Sequence, residues 1–454
     1  MKSVHVTVIG MLLFCFWSCL AVDAAAFLYE TDPEVRQLIM CKKLSYPDAS
    51  FIVLADPHYF PPELGTSGAA FDDYIRHDRK MIRESSAIFK KALQDISTES
   101  ADFVLICGDL TKDGEQESHR QVAALLETLN AQGKPVIVVP GNHDVNNGKA
   151  MRYVDDEAEP VASVDPDEFR TLYQKCGFED AVAYDPDSLS YIVEPVPGLW
   201  VFALDSCKYR ENKLGEHSTT GGKFYESTLE WIERKLIEAI RQNKAVIGCM
   251  HHGMVEHYPS NKKHFPDYLL DDFDRVGRMF AAYGMRFVFT GHFHAQDITR
   301  KKWLSAIPHH MLVDIETGSL VTYPVPWRRV DIVNNRMTIT SHQIADIPEY
   351  GSSFPEYAHQ FVLNGMTDII NETLTSYGVP AADQELLTPQ IARAYVTHLQ
   401  GDETYLLPAF NFTGVSPVGV LVGLVQGDLV RGWYKDLLPS DNAVVLDAAT
   451  GNDE

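Results

Sequence analysis

Cysteine is scarce in this chain of 454 residues: there are seven, and Cys15 and Cys19 fall in the first twenty positions. The other five, Cys41, Cys107, Cys176, Cys207 and Cys249, show no paired spacing, which argues against a disulfide scaffold or a zinc knuckle. Cys107 and Cys249 lie inside apolar runs and read as small buried hydrophobes, while one bridge among the other three stays open. Basic residues are also in deficit. Lys and Arg number 39 against 63 Asp and Glu, a formal charge of −24, so the long-range field repels polyanions and anionic lipid. No nucleic-acid polymer is expected as a partner, although a small phosphorylated ligand held by local charge remains compatible. Internal repeats and low-complexity tracts are missing. Beyond the N-terminus the most apolar stretch, Val415–Val425, is too short and too rich in Pro and Gly to span a bilayer.

What remains is a globular composition, 45% hydrophobic and 22% charged, in a chain long enough for two or three domains. Lys2, the apolar run Val6–Val22 and the small residues Ala24–Ala26 have the order of a secretory signal, with cleavage expected near Ala26. Residues 1–26 are read as that signal and the mature chain as secreted or periplasmic, with no integral span after its removal. A retained anchor, and lipid attachment at Cys19, are lesser alternatives.

From residue 50 onward short β-branched runs alternate with helical patterns, the signal of layered α/β structure. The runs are Phe51–Ala55, Phe103–Cys107, Val136–Val139, Tyr191–Val193, Trp200–Leu204, Ala245–Met250 and Phe287–Thr290. After Pro308 two or three further strands are expected, turning at Asn334-Asn335. Helical spacing dominates beyond Tyr350. The expected division is an α/β catalytic domain over 27–350, built as a sandwich of sheets, and a small, mainly helical C-terminal domain over 351–454.

Five polar clusters stand just past five of the strand-like runs: Asp56-Pro57-His58, Gly108-Asp109, Gly141-Asn142-His143-Asp144, His251-His252 and Gly291-His292-Phe293-His294. Ligands bind at the carboxyl ends of strands in open α/β sheets, so the five clusters should meet on one rim. Asp56, His58, Asp109, Asn142, His251, His292 and His294 form a mixed nitrogen and oxygen donor set suited to two divalent first-row metals. Asp109 has two oxygens and can bridge. Two carboxylates facing two dications leave local positive charge, which attracts a phosphoryl group even in an acidic protein. Gly108, Gly141 and Gly291 stand where the chain must turn sharply or let other groups approach.

The order Asp56-x-His58, Gly108-Asp109 followed by Gly114, Gly141-Asn142-His143-Asp144, His251 and Gly291-His292-x-His294 resembles the calcineurin-like metallophosphoesterase superfamily over roughly residues 50 to 345. The resemblance implies a four-layer α/β/β/α sandwich with two metal ions (Mn, Fe, Zn or Co). One ion would take Asp56, His58, Asp109 and His294, the other Asp109, Asn142, His251 and His292. It further implies that a metal-bridging hydroxide attacks phosphorus in line, and that His143 assists the leaving oxygen. Asp144 is expected to orient His143, and His252 to contact substrate. Protein phosphatases of the superfamily carry an arginine after the Gly-Asp and purple acid phosphatases a tyrosine where this chain has Lys112, so neither branch is favoured. The chain looks most like the cyclic-nucleotide phosphodiesterase branch, in its secreted bacterial form with a helical C-terminal appendage. The expected activity is hydrolysis of small phosphodiesters; the alternatives are a phosphomonoesterase that scavenges phosphate and a non-catalytic metal-containing binding protein. Oligomeric state is not legible.

Overall fold

The computed structural model describes residues 26–76, 78–303, 311–404 and 410–453. Residues 1–25 of the expected signal, with Cys15 and Cys19, and the histidines His309 and His310 lie outside these residues. Strands β1 to β15 are Ala49–Leu54, Phe103–Ile106, Val136–Val138, Met151–Val154, Glu157–Pro160, Ala183–Tyr184, Tyr191–Val196, Leu199–Ala203, Ala245–Cys249, Phe287–Thr290, Asp297–Lys302, Met311–Glu316, Pro326–Val333, Arg336–Gln343 and Ala443–Asp447. Helices α1 to α13 are Leu28–Thr31, Pro33–Cys41, Ala69–Arg76, Ser85–Thr98, Gln116–Asn130, Pro166–Leu172, Glu226–Arg241, Asn261–His264, Phe273–Tyr283, Phe354–Ser376, Ala381–Gln400, Pro417–Val425 and Gly427–Trp433.

Two sheets stack face to face. One has the order β15-β14-β13-β1-β2-β3 and the other β11-β12-β10-β9-β8-β7-β6. Strands β1, β2 and β3 run parallel, as do β8, β9, β10 and β12. Parallel strands covered on both faces need continuous apolar runs, and β1, β2, β3, β9 and β10 are apolar and almost wholly buried. Phe51 of β1 stacks on its neighbour Phe103 and meets Phe289 of the other sheet edge-on at 5.2 Å, which marks the core between the sheets. Outside the first sheet α4 packs through Ile88, Phe89, Ala92, Leu93 and Ile96, one stripe at helical spacing. Outside the second sheet α7 and α9 do the same, joined by Phe27 and Tyr29 from the start of the described chain. The layers are therefore α/β/β/α, as the motif order implies. Asn334 and Asn335 both have positive φ, which a two-residue turn between β13 and β14 requires.

Two features depart from expectation or complete it. The division at residue 351 places the whole C-terminus in a helical unit, but β15 leaves that unit and pairs antiparallel with β14, Met337 facing Leu446. Ala443–Asp447 is a short, β-prone run, and the open edge of the sheet at β14 supplies its partner. All five described cysteines are free, so the open bridge among Cys41, Cys176 and Cys207 is not formed. Among the described residues no helix is long and apolar enough to cross a membrane.

Candidate active site

The carboxyl ends of β1, β2, β3, β9 and β10 meet on one rim. There Asp56, His58, Asp109 and His294 bring one donor atom each within 4.8 Å of one another, and Asp109, His251 and His292 do so beside them. Asp109 is common to both groups, as a bridging carboxylate must be. The Nε2 atoms of His58 and His294 are 3.3 Å apart, with Asp109 Oδ2 3.5 Å from the first and Asp56 Oδ1 3.4 Å from the second. His251 donates from Nδ1 to the Cys107 carbonyl at 2.9 Å, which turns Nε2 toward Asp109 Oδ2 at 3.4 Å and Asn142 Oδ1 at 3.1 Å. Seven sequence-derived donors thus converge.

Backbone conformation makes this convergence possible. Asp56, His58, Asp109, His292 and His294 all have positive φ, an uncommon state for residues other than glycine and one that concentrates at functional sites. His292 and His294 therefore do not share an extended face; each curls toward a different donor group. The glycines serve close approach. A Cβ on Gly141 would lie 2.1 Å from Asp109 Oδ1, and one on Gly291 would lie 2.3 Å from Asp56 Oδ2.

Electrostatics suit cation binding. Burial would raise the Asp109 carboxyl, but His251, His143 and His58 outweigh it and hold the group well below the usual carboxylate range. Burial pushes His58 and His292 well below the ordinary imidazole value, leaving neutral nitrogens able to donate a lone pair. His251 is instead raised to about 9: burial opposes this, but the Asp109 carboxylate dominates, and a cation would displace that shared proton. The Asp, Asn and His donors fit two divalent first-row metals in chemistry and placement.

Two of the expected roles need correction. Asp144 does not orient His143. Its buried carboxylate accepts from the backbone amides of Gly141, Leu110 and Thr111 at 2.8, 3.0 and 2.9 Å, pinning two rim loops together. Neighbours in a tight turn project in different directions, and the orienting group is Asp113, whose Oδ1 lies 2.9 Å from His143 Nδ1. Asp113 is itself paired with Lys112, which is fully buried among Phe60, Tyr74 and Tyr153. His252 is not available to substrate either: Nδ1 meets Ser206 Oγ at 2.8 Å and Nε2 meets the Thr220 carbonyl at 2.9 Å. Burial and His251 push it down to about 3, and its neutral ring supports His292 from 4.5 Å.

The site opens into a cavity of about 460 Å³ bounded by Asp109, Asn142, His143, His292 and His294, by Arg79 and Lys80, and by side chains of α10 to α13. Arg79 and Lys80, in the loop between α3 and α4, carry no sequence signal, because scattered basic residues read as solvated charges. Asp113 stands within the Gly-Asp motif loop, yet nothing in that loop's composition distinguishes it from Asp144. Phe293, the residue between His292 and His294, packs against Tyr258, Phe265 and Tyr268 of the segment around α8 and against His398 of α11, through which the helical unit reaches the rim.

The family model described as calcineurin-like phosphoesterase matches residues 49–296. No curated protein sequence matches the chain. Among solved structures the chain is similar to a dimetal phosphatase from Danio rerio, at 16% identity over 66% of this chain and 98% of that one, with a TM-score of 0.45. It is also similar to the purple acid phosphatase PPD1 from yellow lupin (Lupinus luteus) seeds, at 13% identity over 68% of this chain and 53% of that one, with a TM-score of 0.40.

Proposed function

The chain belongs to the calcineurin-like phosphoesterase family, and from that premise we propose that it is a secreted hydrolase of phosphodiesters. The observation that carries the hydrolytic reading is the pair of donor groups sharing Asp109, with His143 held at their edge. Two divalent ions bound there supply an activated water and neutralise charge on the phosphoryl oxygens. The protein's own contribution is positional. Asp113 fixes His143 Nδ1, so Nε2 is the nitrogen left to assist the leaving oxygen. His143 also donates its backbone amide to Asp109 Oδ1 at 2.8 Å, which ties the orientation of the acid to the shared carboxylate.

A preference for diesters over monoesters is supported by the cavity, which continues past the donor groups and leaves room for a second substituent on phosphorus. Secretion is supported by the composition of residues 1–26. The test is turnover of bis-aryl against mono-aryl phosphates by metal-loaded protein lacking those residues. Diester turnover should exceed monoester turnover. A preference for the monoester would favour phosphate scavenging, and no turnover with either would favour a binding protein. Export of a reporter fused behind residues 1–26 checks the location, and retention inside the cell would contradict it.

A further inference from the structure

The cavity beside the donor groups has two unlike ends. At the rim are Asp109, Asn142, His143, Asp78, Arg79 and Lys80; the far walls come from the helical unit and include Ile370, Leu374, Ile391, Phe410, Val422 and Trp433. None of the described residues that α10 to α13 contribute is charged. One wall is α12, PVGVLVGLV, in which Val422 and Gly423 face the cavity while Leu421, Leu424 and Val425 are exposed on its other side. A helix that is apolar on both faces is unusual on a protein surface.

We infer that the substrate is an amphiphile: a phosphodiester in which one substituent is a hydrocarbon chain, seated in this cavity with its phosphate at the rim. The inference rests on the phosphodiesterase reading and names the substrate class for the same site. Three observations carry it. The cavity is continuous with the catalytic rim, so an occupant of one end is covalently within reach of the other. Its volume lies in the range of pockets that enclose small-molecule ligands. Its far walls are mostly apolar, their polar side chains being Thr373, Tyr377, Tyr395, Gln426 and Trp433, and a nucleobase or sugar seated among Ile370, Leu374, Ile391 and Val422 would lose hydrogen bonds to water on entry. A hydrocarbon loses none and gains from burial. Arg79, which donates to Tyr395 Oη at 3.1 Å, and Lys80, 3.6 Å from the carboxylate of Asp78, stand at the polar end, where the diester anion would lie. In the reaction water adds to phosphorus and the P–O bond to one alcohol breaks. That alcohol leaves with a proton, and the other substituent stays on the phosphomonoester product.

The test is a homologous series of p-nitrophenyl alkyl phosphates, methyl to dodecyl, each kept monomeric in solution and assayed with metal-loaded protein lacking residues 1–26. kcat/KM should rise by about three- to fourfold per methylene, and then level off once the chain fills the cavity. Ile391→Trp, which takes volume from the cavity, should bring the plateau to a shorter chain. Should that variant fail to fold, the wild-type series decides alone. Equal turnover along the series, or a decline with length, overturns the amphiphile while leaving the phosphodiesterase intact; no turnover of any member overturns the reading beneath it.

Discussion

His143 Nδ1 lies 2.9 Å from Asp113 Oδ1, although thirty residues separate the two, while Asp144, its immediate neighbour in sequence, faces inward to three backbone amides. Spatial rather than sequential adjacency assigns the orienting role.

Substitution should separate the two aspartates. Asp113→Asn is expected to lower kcat about tenfold or more and to cost stability as well, because fully buried Lys112 loses the charge of its nearest carboxylate, and His143→Ala to cost roughly 10²- to 10⁴-fold in kcat, the usual range for a general acid. Asp144→Ala should instead destabilise the fold by about 1–3 kcal/mol, because three buried amides lose their acceptor. Steady-state kinetics with urea unfolding distinguishes them. If Asp144→Ala folds as well as wild type but loses turnover, the assignment is reversed.

Metal content offers a second check. The chain should bind two divalent cations, His251→Ala should retain one, and Asp109→Ala should lose affinity at both positions, since its carboxylate belongs to both donor groups. Native mass spectrometry after metal loading counts them. Retention of two ions by Asp109→Ala would refute the shared carboxylate.

Stability should fall on the alkaline side. His257 is buried, which opposes its charge, but Asp297, Glu316 and Asp314 hold it well above the ordinary 6.5. Below 6.5 the folded and unfolded chains are both protonated there. Above it only the folded chain keeps the proton, so stability declines as pH rises toward and through the folded value, by about 1.4 kcal/mol per pH unit for one proton. Urea unfolding from pH 6 to 9 should give a shallower decline for His257→Gln than for wild type. Parallel declines would rule the histidine out as the source.

Phe293 links the helical unit to the donors on either side of it. Phe293→Ala should cost about 3–5 kcal/mol through the cavity it leaves. Because His292 and His294 depend on that anchor, affinity for both cations should drop as well. A lower melting temperature with unchanged metal affinity would show that the anchor stabilises without positioning.

The sandwich and its rim were legible because they rest on strong local patterns: apolar runs that end in Gly, Asp, Asn or His. Gly141 and Gly291 announced close approach, and each admits a carboxylate where a methyl group would collide. What stayed hidden depends on non-local geometry. Arg79 and Lys80 reach the cavity from a loop before α4, and nothing in their spacing separates them from solvated charges. His252 reads as a rim residue until Ser206 and Thr220 are seen to occupy both of its nitrogens. The strand β15 follows a hundred residues of largely helical texture, and its partner is set by a vacant sheet edge rather than by its own composition.

That strand alters the topology of the C-terminus. With β14 ending at Gln343 and β15 beginning at Ala443, and Thr340 facing Ala443 across the ladder, the helical unit is a long excursion between two adjacent antiparallel strands. Its entrance and exit lie side by side. Truncating the chain would strip an edge strand from the sheet, whereas excising the excursion and closing the gap with a short turn would leave the ladder whole. Evolution, or an engineer, could exchange one such excursion for another above the same metal rim without refolding the sandwich beneath it.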